Sequence, residues 1–126
     1  MRAVDTNVLV RLIARDNERQ VVAAEAFVAR GAWVSSVVLV EAMWVLNSLY
    51  ELDAARIAKA VEMLLNHRDL SLQDPDTVSS ALARYRKKPS IGFSDHLVLE
   101  LARKAGHLPL GTFDRALGKQ EGAQRL

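Results

Sequence analysis

The chain has 126 residues, half of them hydrophobic and a quarter charged, and no cysteine. That is about one domain of ordinary soluble globular composition, and it excludes disulfides, thiolate zinc sites and thiol nucleophiles together. Seventeen Lys and Arg against fifteen Asp and Glu leave a net charge of only +2, and the longest uncharged stretch is the ten residues from Gly31 to Val40, short of the ~18 that suggest a membrane span.

Arg2 to Val4 reads as a short strand. Asp5-Thr6-Asn7 then supplies capping groups for an amphipathic helix carrying Val8, Leu9, Val10, Leu12 and Ile13. Asp5 and Arg11 interrupt the apolar core that a signal peptide needs, so a cytoplasmic protein is the expectation. Asn17 is placed to cap a helix through Ala29, which Gly31 ends. Ala32 to Ser35 is a candidate strand, and Ser35 or Ser36 caps a very apolar helix reaching Tyr50. Asp53 opens another helix, with Ile57, Val61, Leu64 and Leu65 on one face.

Leu70 to Gln73 is the next candidate strand. Asp74-Pro75 starts a helix, since proline suits the first helical turn. It runs into Arg84-Tyr85-Arg86-Lys87-Lys88 and stops before Pro89. Pro89 to Phe93 is expected to be a loop. Ser94 is the expected cap of a helix with Leu97, Val98, Leu101, Ala102 and Ala105 on its apolar face, ending at Gly106. Leu108 to Thr112 reads as a strand, Asp114 stands at its end before a short helix, and the last residues form an edge strand or fray.

Short apolar strands alternating with helices indicate an α/β fold of three layers. The expectation is a central parallel sheet with helices on both faces, built as a single domain over residues 1–126. Open sheets of this kind bind ligands outside the carboxyl ends of their strands. Asp5 and Asp114 each follow a strand, which puts both carboxylates at that edge.

Glu41 interrupts Val37-Val38-Leu39-Val40 and Ala42-Met43-Trp44-Val45-Leu46, where a helix has little polar face to offer. A buried carboxylate is costly unless it has a partner, a cation or a route to water. Asp95 shares a helical face with Val98 and Ala102, which turns it toward the interior. Each acid has a plainer explanation: a rim or ion-paired glutamate for Glu41, a helix-dipole acid for Asp95, and caps for Asp5 and Asp114. Four converging carboxylates would repel one another, so a divalent cation is their natural occupant. Oxygen ligands favour Mg²⁺ or Mn²⁺, whereas the missing cysteine and the scattered His67, His96 and His107 argue against zinc. Such a site activates water and neutralises charge on a phosphodiester. Sequestering four acids would leave eleven against the seventeen bases, a basic surface suited to a polyanion.

Asp5-Thr6-Asn7 after a first strand, Glu41 in a helix, Phe93-Ser94-Asp95 at a helix start and Thr112-Phe113-Asp114 after a late strand resemble the PIN domain over essentially the whole chain. In length and single-domain form it is most similar to VapC toxins, the ribonucleases of type II toxin–antitoxin pairs. The resemblance implies metal-binding or catalytic roles for Asp5, Glu41, Asp95 and Asp114, with Asp5 and Asp95 as direct Mg²⁺ ligands. It implies orienting roles for Asn7 and Thr112, an RNA substrate, homodimerisation and a VapB-type antitoxin. His96 stands where relatives often have a small residue; its simplest reading is a surface imidazole beside the site.

Arg84, Arg86, Lys87 and Lys88 could track a phosphate backbone while Tyr85 stacks a base; a solvated helix end, where cations are favourable anyway, accounts for the same run. Trp33 and Trp44 are assigned to the core or a subunit interface. No GxGxxG, GxxxxGK[ST] or GxSxG occurs, so neither a nucleotide cofactor nor a serine nucleophile has motif support. Two other functions stay open. One is a phosphatase or phosphoacceptor with Asp5 as nucleophile, disfavoured by Asn7 where a second acid is needed. The other is a non-catalytic RNA-binding module on the same fold.

Overall fold

Four side chains set the helix starts of the N-terminal half. In the computed structural model, which describes residues 1–126, Asp5, Asn17, Ser35 and Asp53 each sit in extended backbone and accept a backbone N–H from the turn that follows. They open α1 (Thr6–Ala14), α2 (Glu18–Val28), α3 (Ser36–Ser48) and α4 (Ala54–Asn66). Each bond satisfies a donor that the helix leaves without an internal partner. Between the helices run β1 (Arg2–Ala3), β2 (Ala32–Val34) and β3 (Leu70–Leu72), all parallel, in the order β1-β2-β3. Arg2 stands opposite Ala32, and Ala32 opposite Leu70.

These elements form one compact unit, Met1–Pro75. Leu9, Val34, Leu39, Leu46, Val61 and Leu64 are all but inaccessible to water, and each contributes about 1.5–3 kcal/mol through burial. Neither tryptophan belongs to this core. Trp33 lies between buried Ala32 and Val34 and, by strand alternation, faces outward; Trp44 is 63% exposed. Of the two places expected for the tryptophans, the core is therefore excluded and a subunit interface is not, since both rings are surface features.

The second unit, Asp76–Leu126, takes over within α5 (Pro75–Lys87) and continues through α6 (Phe93–Ala105), β4 (Leu110–Thr112), a single 3-10 turn at Leu117–Lys119 and β5 (Ala123–Arg125). The last residues do not fray: β5 pairs in parallel with β4, Leu110 opposite Ala123. Ile91, Leu99 and Leu117 form a small core, with Leu110 and Ala123 packed against it. Gly106 ends α6 in the left-handed region (φ +82°), its N–H reaching the carbonyls of Ala102 and Arg103, a conformation glycine adopts without penalty.

The start and face of α6 differ from the sequence expectation. The helix begins at Phe93 rather than after Ser94, Gly92 is the residue before it, and no side chain caps it. Phe93 is buried and meets the Tyr85 ring edge-on, centroids 5.9 Å apart; that packing draws the first turn two residues forward, from a Ser94 cap to Gly92. The buried stripe is Phe93, His96, Leu97 and Glu100, with Leu99 beside it, while Val98 is 47% exposed and Ala105 faces water. Two polar residues lie on the buried side, so a hydrophobicity reading rotates the helix wrongly. The α/β class with parallel strands is as the sequence indicates, its strands hydrogen-bonded in a set of three and a set of two. No helix is long and apolar enough to cross a membrane.

Candidate metal centre

Two carboxylates of the second unit interact. Asp95 lies in the first turn of α6, half-buried, its N–H donating to the Gly92 carbonyl at 3.1 Å. Burial first, and the Asp114 charge second, push its carboxyl above the usual range, with His96 working in the opposite direction. Asp114 is fastened from three sides. Its N–H donates to Thr112 Oγ1 (3.0 Å), its Oδ2 accepts from the Leu117 N–H (2.7 Å), and its carbonyl accepts from the Gly118 N–H (2.9 Å). Thr112 thus holds the Asp114 backbone through its hydroxyl.

The donor set fits a hard divalent cation. A carboxyl held partly out of water beside a second negative charge is relieved by a positive one. Mg²⁺ is commonly bound through one or two carboxylates, with waters and substrate phosphates completing its shell. No three Asp, Glu or His side chains come together as a ready-made metal cage.

The candidate residues of the first unit are placed differently. Asp5 is exposed, follows β1 by two positions and accepts the Thr6 N–H at 2.7 Å. Asn7, also exposed, lies in the first turn of α1. Glu41 is exposed, the rim placement among the alternatives that its apolar neighbours left open. The cause is periodicity: Val37, Glu41 and Trp44 recur at helical spacing on one outward stripe of α3, and Val37 and Trp44 are exposed with it.

His96 is 1% exposed, not the surface imidazole expected. Its Nε2 lies 3.0 Å from the Lys88 carbonyl, which only accepts, so Nε2 carries the proton. Its Nδ1 is buried with no partner. Tyr85 is buried too, packed edge-on between the Phe93 and His96 rings, so it is not available to stack a base. Arg84 is engaged with Glu100 (3.2 Å), whereas Arg86, Lys87 and Lys88 are exposed.

Glu100 was not singled out by sequence. It is 6% exposed and held by Arg84 and Arg103, both within 3.3 Å of its Oε2. Its spacing was the available signal: Glu100 stands seven residues after Phe93 and four after His96, on one helical stripe.

No curated protein and no solved structure matches the chain. PIN domains are in general metal-dependent nucleases. The family model described as PIN domain matches residues 2–122, and the chain belongs to the PIN domain family.

Proposed function

We propose that residues 1–126 act as one catalytic domain, a Mg²⁺-dependent endoribonuclease of the VapC toxin type. The Asp95–Asp114 pair carries this reading, because its oxygen donors and mutual repulsion suit a divalent cation. Asp95 and Asp114 hold the ion, and Asp5 and Glu41 are the further carboxylates of the reaction. Thr112 fixes the Asp114 backbone, and Asn7 serves as a short polar orienting group. Arg86, Lys87 and Lys88 hold the RNA backbone by charge, with Arg84 set back through its pairing to Glu100. Mg²⁺, or Mn²⁺ in its place, supplies Lewis acidity for the attacking water and offsets charge developing on the phosphodiester.

The same reading includes a homodimer, a VapB-type antitoxin and action in the cytoplasm. The exposed Val37 and Trp44, on the same outward stripe as Glu41, support a covering partner, since exposed apolar groups set among polar ones mark interaction sites.

The test is cleavage of a labelled RNA with Mg²⁺, with Mn²⁺ and with EDTA, beside thermal melting under the same conditions. Wild type should cut only with metal, and metal should raise its Tm by binding the folded state preferentially. Asp95→Asn and Asp114→Asn should each lower cleavage by about a hundredfold or more and remove the metal-induced shift. Cleavage that survives EDTA, or that persists in both variants after contaminating nucleases are excluded, would overturn the proposal. RNA binding without cleavage would leave a binding module instead.

A further inference from the structure

Thr112-Phe113-Asp114 leaves β4 as a fastened turn. Besides the bonds to Asp114, the Thr112 carbonyl accepts the Leu126 N–H at 2.8 Å, so the backbone is held on both sides of Phe113. Phe113 itself is 81% exposed, more than any other aromatic side chain of the protein. A single exposed ring is common and means little alone. Its setting is what distinguishes this one: Asp114 follows it, then exposed Arg115.

Given the endoribonuclease reading above, on which this rests, we infer that Phe113 is a base-stacking platform that selects single-stranded RNA and fixes which nucleotide is presented to Asp114. Consecutive Cα atoms are 3.8 Å apart, so an aromatic ring and a carboxylate on adjacent residues reach the base and the phosphate of one nucleotide step. The turn is already ordered by its hydrogen bonds, so little conformational freedom remains to be lost when a base docks. Arg115 adds a cation at the same turn for the neighbouring phosphate.

Stacking requires an unpaired base. In an A-form duplex the base faces are covered by one another, whereas bases of loops and single strands are free to splay onto aromatic rings. Every base has a π-face, so the platform sets position and strandedness rather than sequence. The sequence neighbours Thr112, Asp114 and Arg115 are polar, which suits a nucleotide better than an apolar protein surface.

The test compares one RNA oligonucleotide as a single strand, annealed to its complement, and carrying one abasic position at each site near the cut. Wild type should prefer the single strand. Phe113→Ala should lower its cleavage about 5- to 150-fold, with unchanged Tm and metal response. Phe113→Trp should retain activity, whereas Phe113→Leu, apolar but without a π-face, should fall as far as Ala. One abasic position should impair wild type and cause no further loss in Phe113→Ala. Wild-type activity in Phe113→Leu, or equal cutting of duplex and single strand, would overturn the inference while leaving the nuclease reading intact. So would unchanged cleavage in Phe113→Ala with an altered oligomeric state by light scattering, which assigns the ring to a protein contact. If wild type cuts no RNA with either metal, the nuclease reading falls, and this inference with it.

Discussion

The two units handle their polar side chains in opposite ways. In Met1–Pro75, Asp5 and Asp53 cap helices from exposed positions, and Glu41 lies on an open helical face. The one buried polar residue there is the small hydroxyl of Thr6. In Asp76–Leu126 the buried polar set includes two ionisable groups, His96 and Glu100. This unit also leaves His96 Nδ1 without a partner, opens α6 without a side-chain cap, and holds Asp95 against its ordinary acidity. The first unit has its own buried unpartnered atom, Ser36 Oγ, and its own exposed apolar side chains, Val37 and Trp44. What sets the second unit apart is that the buried groups are ionisable and that α6 opens without a side-chain cap a few residues from Asp95. Proteins depart from local consistency where a site requires it, and the contrast agrees with the role proposed for Asp95 and Asp114.

The largest effect that would test this contrast is at Glu100. Glu100→Gln keeps the shape but leaves Arg84 and Arg103 without a carboxylate. Breaking a fully buried ion pair costs about 3–5 kcal/mol. Here the arginine side chains are 40% and 27% exposed and turn toward water, so about 1–3 kcal/mol is expected. Denaturant unfolding measures it. A loss below about 0.5 kcal/mol, the range of ordinary surface substitutions, would mean that the buried carboxylate contributes no more than a surface one.

Helix starts give a smaller effect, and they show what was legible in the sequence. Asn17, Ser35 and Asp53 were readable because a capping side chain acts on the three residues that follow it. Ser94 fits the same local pattern and does not cap, because burial of Phe93 against Tyr85 decides where α6 begins. Asp53→Ala should therefore cost about 1 kcal/mol and Ser94→Ala less than about 0.5 kcal/mol, both read from thermal melts. Equal losses would restore Ser94 as a cap.

The site divides along the same line. Asp5, Asp95 and Asp114 are candidates because of their places at strand ends and a helix start, which are local features. The exposure of Glu41 and the burial of His96 and Glu100 depend on which helical face is covered, and that is set by packing between elements distant in sequence. Hydropathy fails most on α6 because its covered stripe contains a histidine and a glutamate.

The smallest expected effect is a pH-dependent one at Asp95. Burial and then the Asp114 charge raise its folded pKa above the ordinary 3.8, so the folded state holds this proton more tightly than the unfolded chain. The resulting stabilisation is fully present below 3.8 and is lost as pH rises through the raised folded value. At neutral pH the ionised carboxylate instead carries a standing cost in the metal-free protein, from burial first and the Asp114 charge second. Asp95→Asn removes that charge while keeping a side chain of the same size. In EDTA it should gain stability relative to wild type as pH rises through the window just above 3.8, then keep a constant small advantage toward neutrality. Asp95 is only half-buried, and water and salt screen the repulsion, which keeps the gain small. Mg²⁺ should confer a comparable gain on wild type at neutral pH and none on Asp95→Asn. A difference between the two proteins that stays flat across this window would show that neither burial nor the Asp114 charge penalises the Asp95 carboxylate when folded. It would also place the second unit's departure from local rules at His96 and Glu100 alone.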